Sequence, residues 1–226
     1  MADEVYRNVG ELFANERFSQ VSEYPEWKST AIETVRRTLE ELLEKREQQI
    51  EEGLNEMETR YFWVSYVLRA LGYVYSVAEM VPDAIEADEQ RPDFTLFETA
   101  QAFNTAVPYR GEREFFSHAV GIVRCLGWDA SLDEVEEDIG PMNPAIDVDR
   151  YIRATGLEWG ILTNGRTWRL FQRDTSGLMA TYYEVDLIAA LESGDADAFK
   201  YFWIAFSAAA LTSKSGVDPV VRRLLH

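Results

Sequence analysis

A chain of 226 residues with 46% hydrophobic content is long enough to bury one sizeable α/β core, and its formal charge of -18 makes it strongly acidic. Cys125 is the lone cysteine, and His118 and His226 are the two histidines; this excludes an internal disulfide and a Cys/His zinc cluster, and nothing around His118 suggests a nucleophile's elbow. The longest apolar window, Phe199 to Leu211, is too short for a membrane span and carries Lys200 and Ser207, so no membrane partner is expected. "MADEVYRNVG" lacks the basic start and apolar run of a signal peptide, which makes a cytoplasmic location the expectation.

Residues 1–25 are short and mixed in pattern and read as a poorly defined arm. From Pro25 the pattern turns helical, with Ile32, Val35, Leu39, Leu42 and Leu43 at spacings of three and four and charge on the other side. Residues 1–58 therefore form an arm plus a long amphipathic helix, and residues 59–226 form the core domain with its C-terminal helices. The helix, over residues 29–52, either lies on its own domain or makes a homo-oligomer or partner seam. "TRYFWVSYVLRALG" follows as a second helix with Phe62, Val67, Leu68 and Leu71 as its apolar face and Gly72 at its end. "YVYSVAEMVP" looks extended, "EADEQ" is an acidic linker, and "RPDFTLFET" starts a strand, with Phe94 and Leu96 alternating. "EREFFSHAVGIVRCLGW" is a short helix running into a strand over about residues 119–126. "SLDEVEEDIGPMN" is an acidic loop, and "PAIDVDRYIRATG" is a helix opened by Pro144 and closed by Gly156.

The segment "GLEWGILTNGRTWRLFQR" is a β-hairpin. Asn164-Gly165 favours a two-residue turn that pairs Thr163 with Arg166, Ile161 with Trp168 and Trp159 with Leu170. One face then holds Trp159, Ile161, Trp168 and Leu170, and the other Leu162, Arg169 and Phe171; a hairpin apolar on both faces belongs inside a covered sheet. "ATYYEVDLIAALESGDADAF" adds a strand and a short helix. The order of elements defines an α/β class, with a mixed sheet flanked by helices and an N-terminal helical extension.

Acidic residues number 40 against 22 basic ones, and only four of the latter are lysine. That balance is similar to the proteome-wide habit of halophilic archaea, in which net charge describes the solvent more than the partner. "RPDF.LF", the strand "GIVRCLGW", "NP" followed by "YIRATG", then "WGILTNGRTWRLF" and "YYEVDL" resemble the N-terminal PD-(D/E)xK nuclease domain of Type IIG restriction-modification enzymes and, more distantly, Type I restriction subunits. The resemblance covers roughly residues 59–211 and implies a restriction-endonuclease-like mixed sheet. It also implies a metal site: an acid at the "PD" strand and a Glu-x-Lys strand, which together hold and use Mg²⁺. Asp93 stands at the first acid, but Arg124 takes the glutamate position and Leu126 the lysine position. Asp147 replaces a glutamine on the following helix, whose Tyr151 is kept.

The resemblance thus implies a catalytically degenerate, pseudo-nuclease module with no cofactor expected; Mg²⁺ would bind only if Asp93 and Asp147 made an atypical active site. Arg150, Arg153, Arg166, Arg169 and Arg173 against Glu158 leave a local cationic surplus. Arg150, Arg153, Asn164, Arg166 and Arg169 are the candidate nucleic-acid contacts, although Arg169, on a covered face, is better suited to pair with a carboxylate such as Glu158. The expected role is docking DNA, or a methyltransferase or nuclease partner subunit, in a restriction-modification or phage-defence system. An interaction scaffold without DNA binding and a metal-dependent endonuclease are the alternatives.

Overall fold

A computed structural model describes residues 5–82, 91–134, 142–177, 179–213 and 216–225. Its centre is a seven-stranded sheet in the order β1-β7-β6-β5-β4-β3-β2. The strands are β1 Tyr6–Val9, β2 Val74–Val77, β3 Phe94–Phe97, β4 Gly121–Cys125, β5 Trp159–Thr163, β6 Thr167–Gln172 and β7 Tyr182–Asp186. Only β4 and β5 run parallel; every other neighbouring pair is antiparallel. A parallel pair needs a crossover, and the helix Ala145–Thr155 is carried in it. The α/β class with a mixed sheet and flanking helices is what the order of elements predicts.

Strands covered on both faces read as continuous apolar runs, and β5, "WGILT", is buried at every position. On one face Trp159, Ile161, Trp168 and Leu170 pack with the long helix Ala31–Glu51 and the helices Ser65–Ala70 and Ala198–Phe206. On the other, Leu162 and Phe171 pack with Phe115, Phe116, Val148 and Ile152, which come from the helices Arg113–Ser117 and Ala145–Thr155. Gly160 lets the second of these helices close on β5, because a Cβ there would lie 2.5 Å from Val148 Cγ1 and 2.9 Å from Ile152 Cγ2. Gly156 ends that helix in the left-handed region at φ 77°, as expected of a C-terminal glycine.

Several expectations are corrected. The arm contains β1, which pairs antiparallel with β7 at the edge of the sheet. The long helix, by contrast, follows the first of its two readings and lies on its own domain: Ile32 and Leu39 are buried, and Val35, Leu42, Leu43 and Ile50 pack against the same core. Phe62 does not share the apolar face of Val67, Leu68 and Leu71; it is 40% exposed. Phe62 lies in the π-helical stretch Thr59–Val64, which precedes the α-helix carrying Val67 and Leu68, so α-helical spacing does not bring it onto their face.

The hairpin keeps its two faces but not its register. Ile161 pairs with Leu170, Leu162 with Arg169, and Thr163 with Trp168, so four residues rather than two separate the last pair across the hairpin. Asn164 Oδ1 accepts from the backbone N–H of Arg166 at 3.1 Å and of Thr167 at 2.8 Å, an Asx-type turn that outcompetes the tighter one. The helix Ala100–Ala106 follows β3 at a place where no helix is predicted. The long apolar segment near the C-terminus breaks at Ser207 into the helices Ala198–Phe206 and Ala208–Leu211. The acidic linker "EADEQ" and most of the acidic loop lie outside the described residues. Among the described residues, no helix is long and apolar enough to cross a membrane.

Candidate functional site

Asp93 immediately precedes β3, and Arg124 sits near the end of β4. The antiparallel pairing of Phe94 with Val123 sets them side by side, and alternation along β4 turns Arg124 to the face covered by the helix Ala145–Thr155. Asp147 is in the first turn of that helix. The motif positions 93, 124 and 147, which are far apart in the sequence, therefore meet in one ion-pair network. Arg124 Nη1 lies 3.3 Å from Asp93 Oδ2, and its Nε lies 3.5 Å from Asp147 Oδ2. Arg150 reaches Asp147 Oδ1 at 3.6 Å from the same helix.

Two further members come from a segment that the sequence did not mark. Glu56 Oε1 accepts from Arg124 Nη1 at 3.0 Å and from Arg60 Nη2 at 2.8 Å. Arg60 also pairs with Asp93 Oδ1. The capping box of Asn55 and Glu58 starts this helical run, and the π-helical turns of Thr59–Val64 continue it, a backbone irregularity that often accompanies specialised sites. A Glu-x-x-x-Arg pair was the only available signal, and it is indistinguishable from an ordinary surface pair on a helix.

The network is closed electrostatically, with Asp93, Glu56 and Asp147 facing Arg60, Arg124 and Arg150. Burial raises the pKa of Asp93, opposed by Arg124, the Cys125 N–H and Arg60. Burial alone would weaken the charge on Arg124, but Asp93, Glu56 and Asp147 more than offset it, so the guanidinium stays charged. Tyr151, beside this network, has its phenol pushed up to about 12 by burial, with Asp147 adding to the effect.

This donor set does not fit a divalent cation. Mg²⁺ requires free oxygen ligands in octahedral array, and both Asp93 oxygens are engaged: Oδ1 by Arg60, and Oδ2 by Arg124 and, at 2.5 Å, by the Cys125 backbone N–H. A guanidinium cannot shed its proton to make room. Leu126 offers no replacement for a lysine, since its side chain is buried in the apolar cluster with Phe116 and Leu162.

The candidate nucleic-acid residues divide. Asn164 is buried and its Nδ2 donates to the Ala130 carbonyl at 2.7 Å, so it is a turn staple. Arg169 is 3% exposed. Its partners are Glu184 at 2.5 Å and Asp133 at 2.8 Å, rather than Glu158, which is taken by Arg222. The Arg169 guanidinium also lies 4.4 Å from the centre of the Tyr182 ring. Arg150, Arg153 and Arg166 are exposed on their side chains, but each has a carboxylate: Asp147, Asp149 at 2.7 Å and Asp186 at 2.9 Å respectively. The cationic surplus seen in the sequence between residues 150 and 173 is therefore met in space by acids from outside that window. Trp159 and Trp168 are core residues, 2% and 0% exposed.

In comparisons with family models, with curated proteins and with solved structures, nothing matches this chain.

Proposed function

We propose that the chain is a degenerate module of the restriction-endonuclease kind, non-cleaving and cytoplasmic, that docks DNA or a partner subunit in a restriction-modification or phage-defence system. One observation carries the reading: at the motif glutamate position, the Arg124 guanidinium reaches Asp93, Glu56 and Asp147, supplying positive charge where a nuclease of this kind would use a metal ion. The convergence of positions 93, 124 and 147, which only the resemblance links in sequence, supports it further. A docking module without DNA binding is favoured by a separate observation, the carboxylate already paired with each exposed arginine of the candidate nucleic-acid set.

The experiment has two arms. Incubated with supercoiled plasmid and Mg²⁺ or Mn²⁺, the protein is expected to leave the plasmid intact; nicking that disappears in Asp93→Ala would overturn the non-cleaving reading. In the second arm, binding to duplex DNA is measured against salt. Loss of affinity with a shallower salt slope in the Arg150→Ala, Arg153→Ala, Arg166→Ala triple variant supports DNA docking, whereas no binding at any salt leaves the partner-subunit form.

A further inference from the structure

On the face of the sheet opposite Arg124, the long helix and the helix Ser65–Ala70 leave a groove of about 650 Å³ between them. Leu39, Leu42 and Ala70 line it, together with the Tyr66 ring, and Lys45, Arg46 and Arg69 stand around it. Three cations gather here without a carboxylate of their own among the described residues. With acids outnumbering bases 40 to 22, cations readily find a carboxylate, as Arg36, Arg60, Arg166 and Arg222 do. Lys45, Arg46 and Arg69 form no ion pair among the described residues. Aromatic rings hold the two arginines instead: Arg46 lies 5.4 Å from the Phe62 centroid, and Arg69 lies 5.5 Å from that of Tyr75 and 6.0 Å from that of Tyr66.

A guanidinium held over a ring is positioned while keeping most of its N–H donors for an incoming anion. The same helical run presents Met57, Tyr61, Phe62 and Tyr66 to solvent, and Met57 is 62% exposed. Two of these rings belong to the groove, Tyr66 in its lining and Phe62 under Arg46, and exposed rings at a groove mark an interaction surface.

We propose that this groove docks a short peptide segment of a partner protein in which acidic side chains flank an apolar anchor. The anchor would rest on Leu42, Ala70 and the Tyr66 ring, and the carboxylates would meet Arg46, Arg69 and Lys45. Charge complementarity selects this occupant. A nucleic acid fits less well, because the groove holds only three cations and Glu41 beside them, too few to neutralise a run of phosphates, and its floor is apolar. The proposal does not depend on the nuclease-like reading, since it uses the other face of the sheet.

The test is selection of a random peptide library displayed on phage against the immobilised full chain, followed by fluorescence anisotropy with a labelled selected peptide. Selected sequences are expected to place Asp or Glu beside Leu, Ile or Phe. Their affinity should fall at least about tenfold in the Arg46→Gln, Arg69→Gln double variant, with the circular dichroism spectrum unchanged. Tyr66→Ala and Lys45→Gln, at exposed positions, provide the same readout should the double variant perturb folding. The proposal is overturned by selection without acidic-apolar sequences, by affinity that these substitutions leave unmoved, by a single-stranded oligonucleotide outcompeting the peptide, or by a self-association that the same substitutions abolish.

Discussion

Arg124 and Asp93 differ in what their neighbours ask of them. The carboxylate is buried and tied at both oxygens, whereas the guanidinium is partly accessible and shared among three acids. Arg124→Leu would leave Asp93 with Arg60 as its one charged partner. Removing one side of a largely buried pair is costly, and a loss of about 2–4 kcal/mol is expected in urea unfolding. Tyr151 provides a pH signature of the same neighbourhood. Its phenol is raised to about 12 from the ordinary 10.0, so the folded chain keeps the proton longer than the unfolded one. The stability this contributes is complete below pH 10 and is lost as pH rises through about 12. Tyr151→Phe should therefore make the alkaline fall in the urea midpoint shallower across that window. Only the resemblance singles out Asp93, Arg124 and Asp147 in the sequence. Glu56 and Arg60 were illegible because their partners lie far along the chain, Glu56 and Arg124 being 68 residues apart.

The hairpin shows what an element's sequence specifies and what it leaves open. Strict alternation assigned its two faces, since a shift of register by two preserves which side each residue faces. Loop length escaped the pattern because it depends on a side chain: Asn164 Oδ1 accepts two backbone N–H groups, and the Thr163 hydroxyl donates to the Thr167 carbonyl at 2.8 Å. β1 was missed for a related reason, as "YRNV" is a polar edge strand with no apolar alternation to read. The turn is also where two tryptophans are held, because Trp63 and Trp168 both donate their indole N–H to the Gly165 carbonyl, at 2.8 and 3.1 Å. Gly165 has φ 89°, and a Cβ there would come within 2.7 Å of Trp128 Cε3. Gly165→Ala is thus expected to cost about 2–3 kcal/mol from left-handed strain and contact, measured by thermal melting, and to shift the intrinsic tryptophan fluorescence.

At the scale of the whole molecule, 18 uncompensated negative charges repel one another, and salt decides how strongly. Between 0.1 M and 1 M the Debye length shrinks from about 10 Å to about 3 Å, which removes most of that repulsion. The midpoint of thermal unfolding should rise continuously as KCl is raised toward molar concentrations; a midpoint independent of salt, or falling with it, would contradict the halophilic reading. The buried Arg169–Glu184 pair should be screened far less than the surface, because it is withdrawn from the solvent.

The pairing of β1 with β7 has a consequence for how the chain reaches this state. Arg7 bonds Glu184 across 177 residues of sequence, so the first strand has no berth until β7 is in place. Closing so large a loop brings little reward before the final contacts form. That opening segment is an edge plank, and without it the flank of β7 would lie bare to any passing strand.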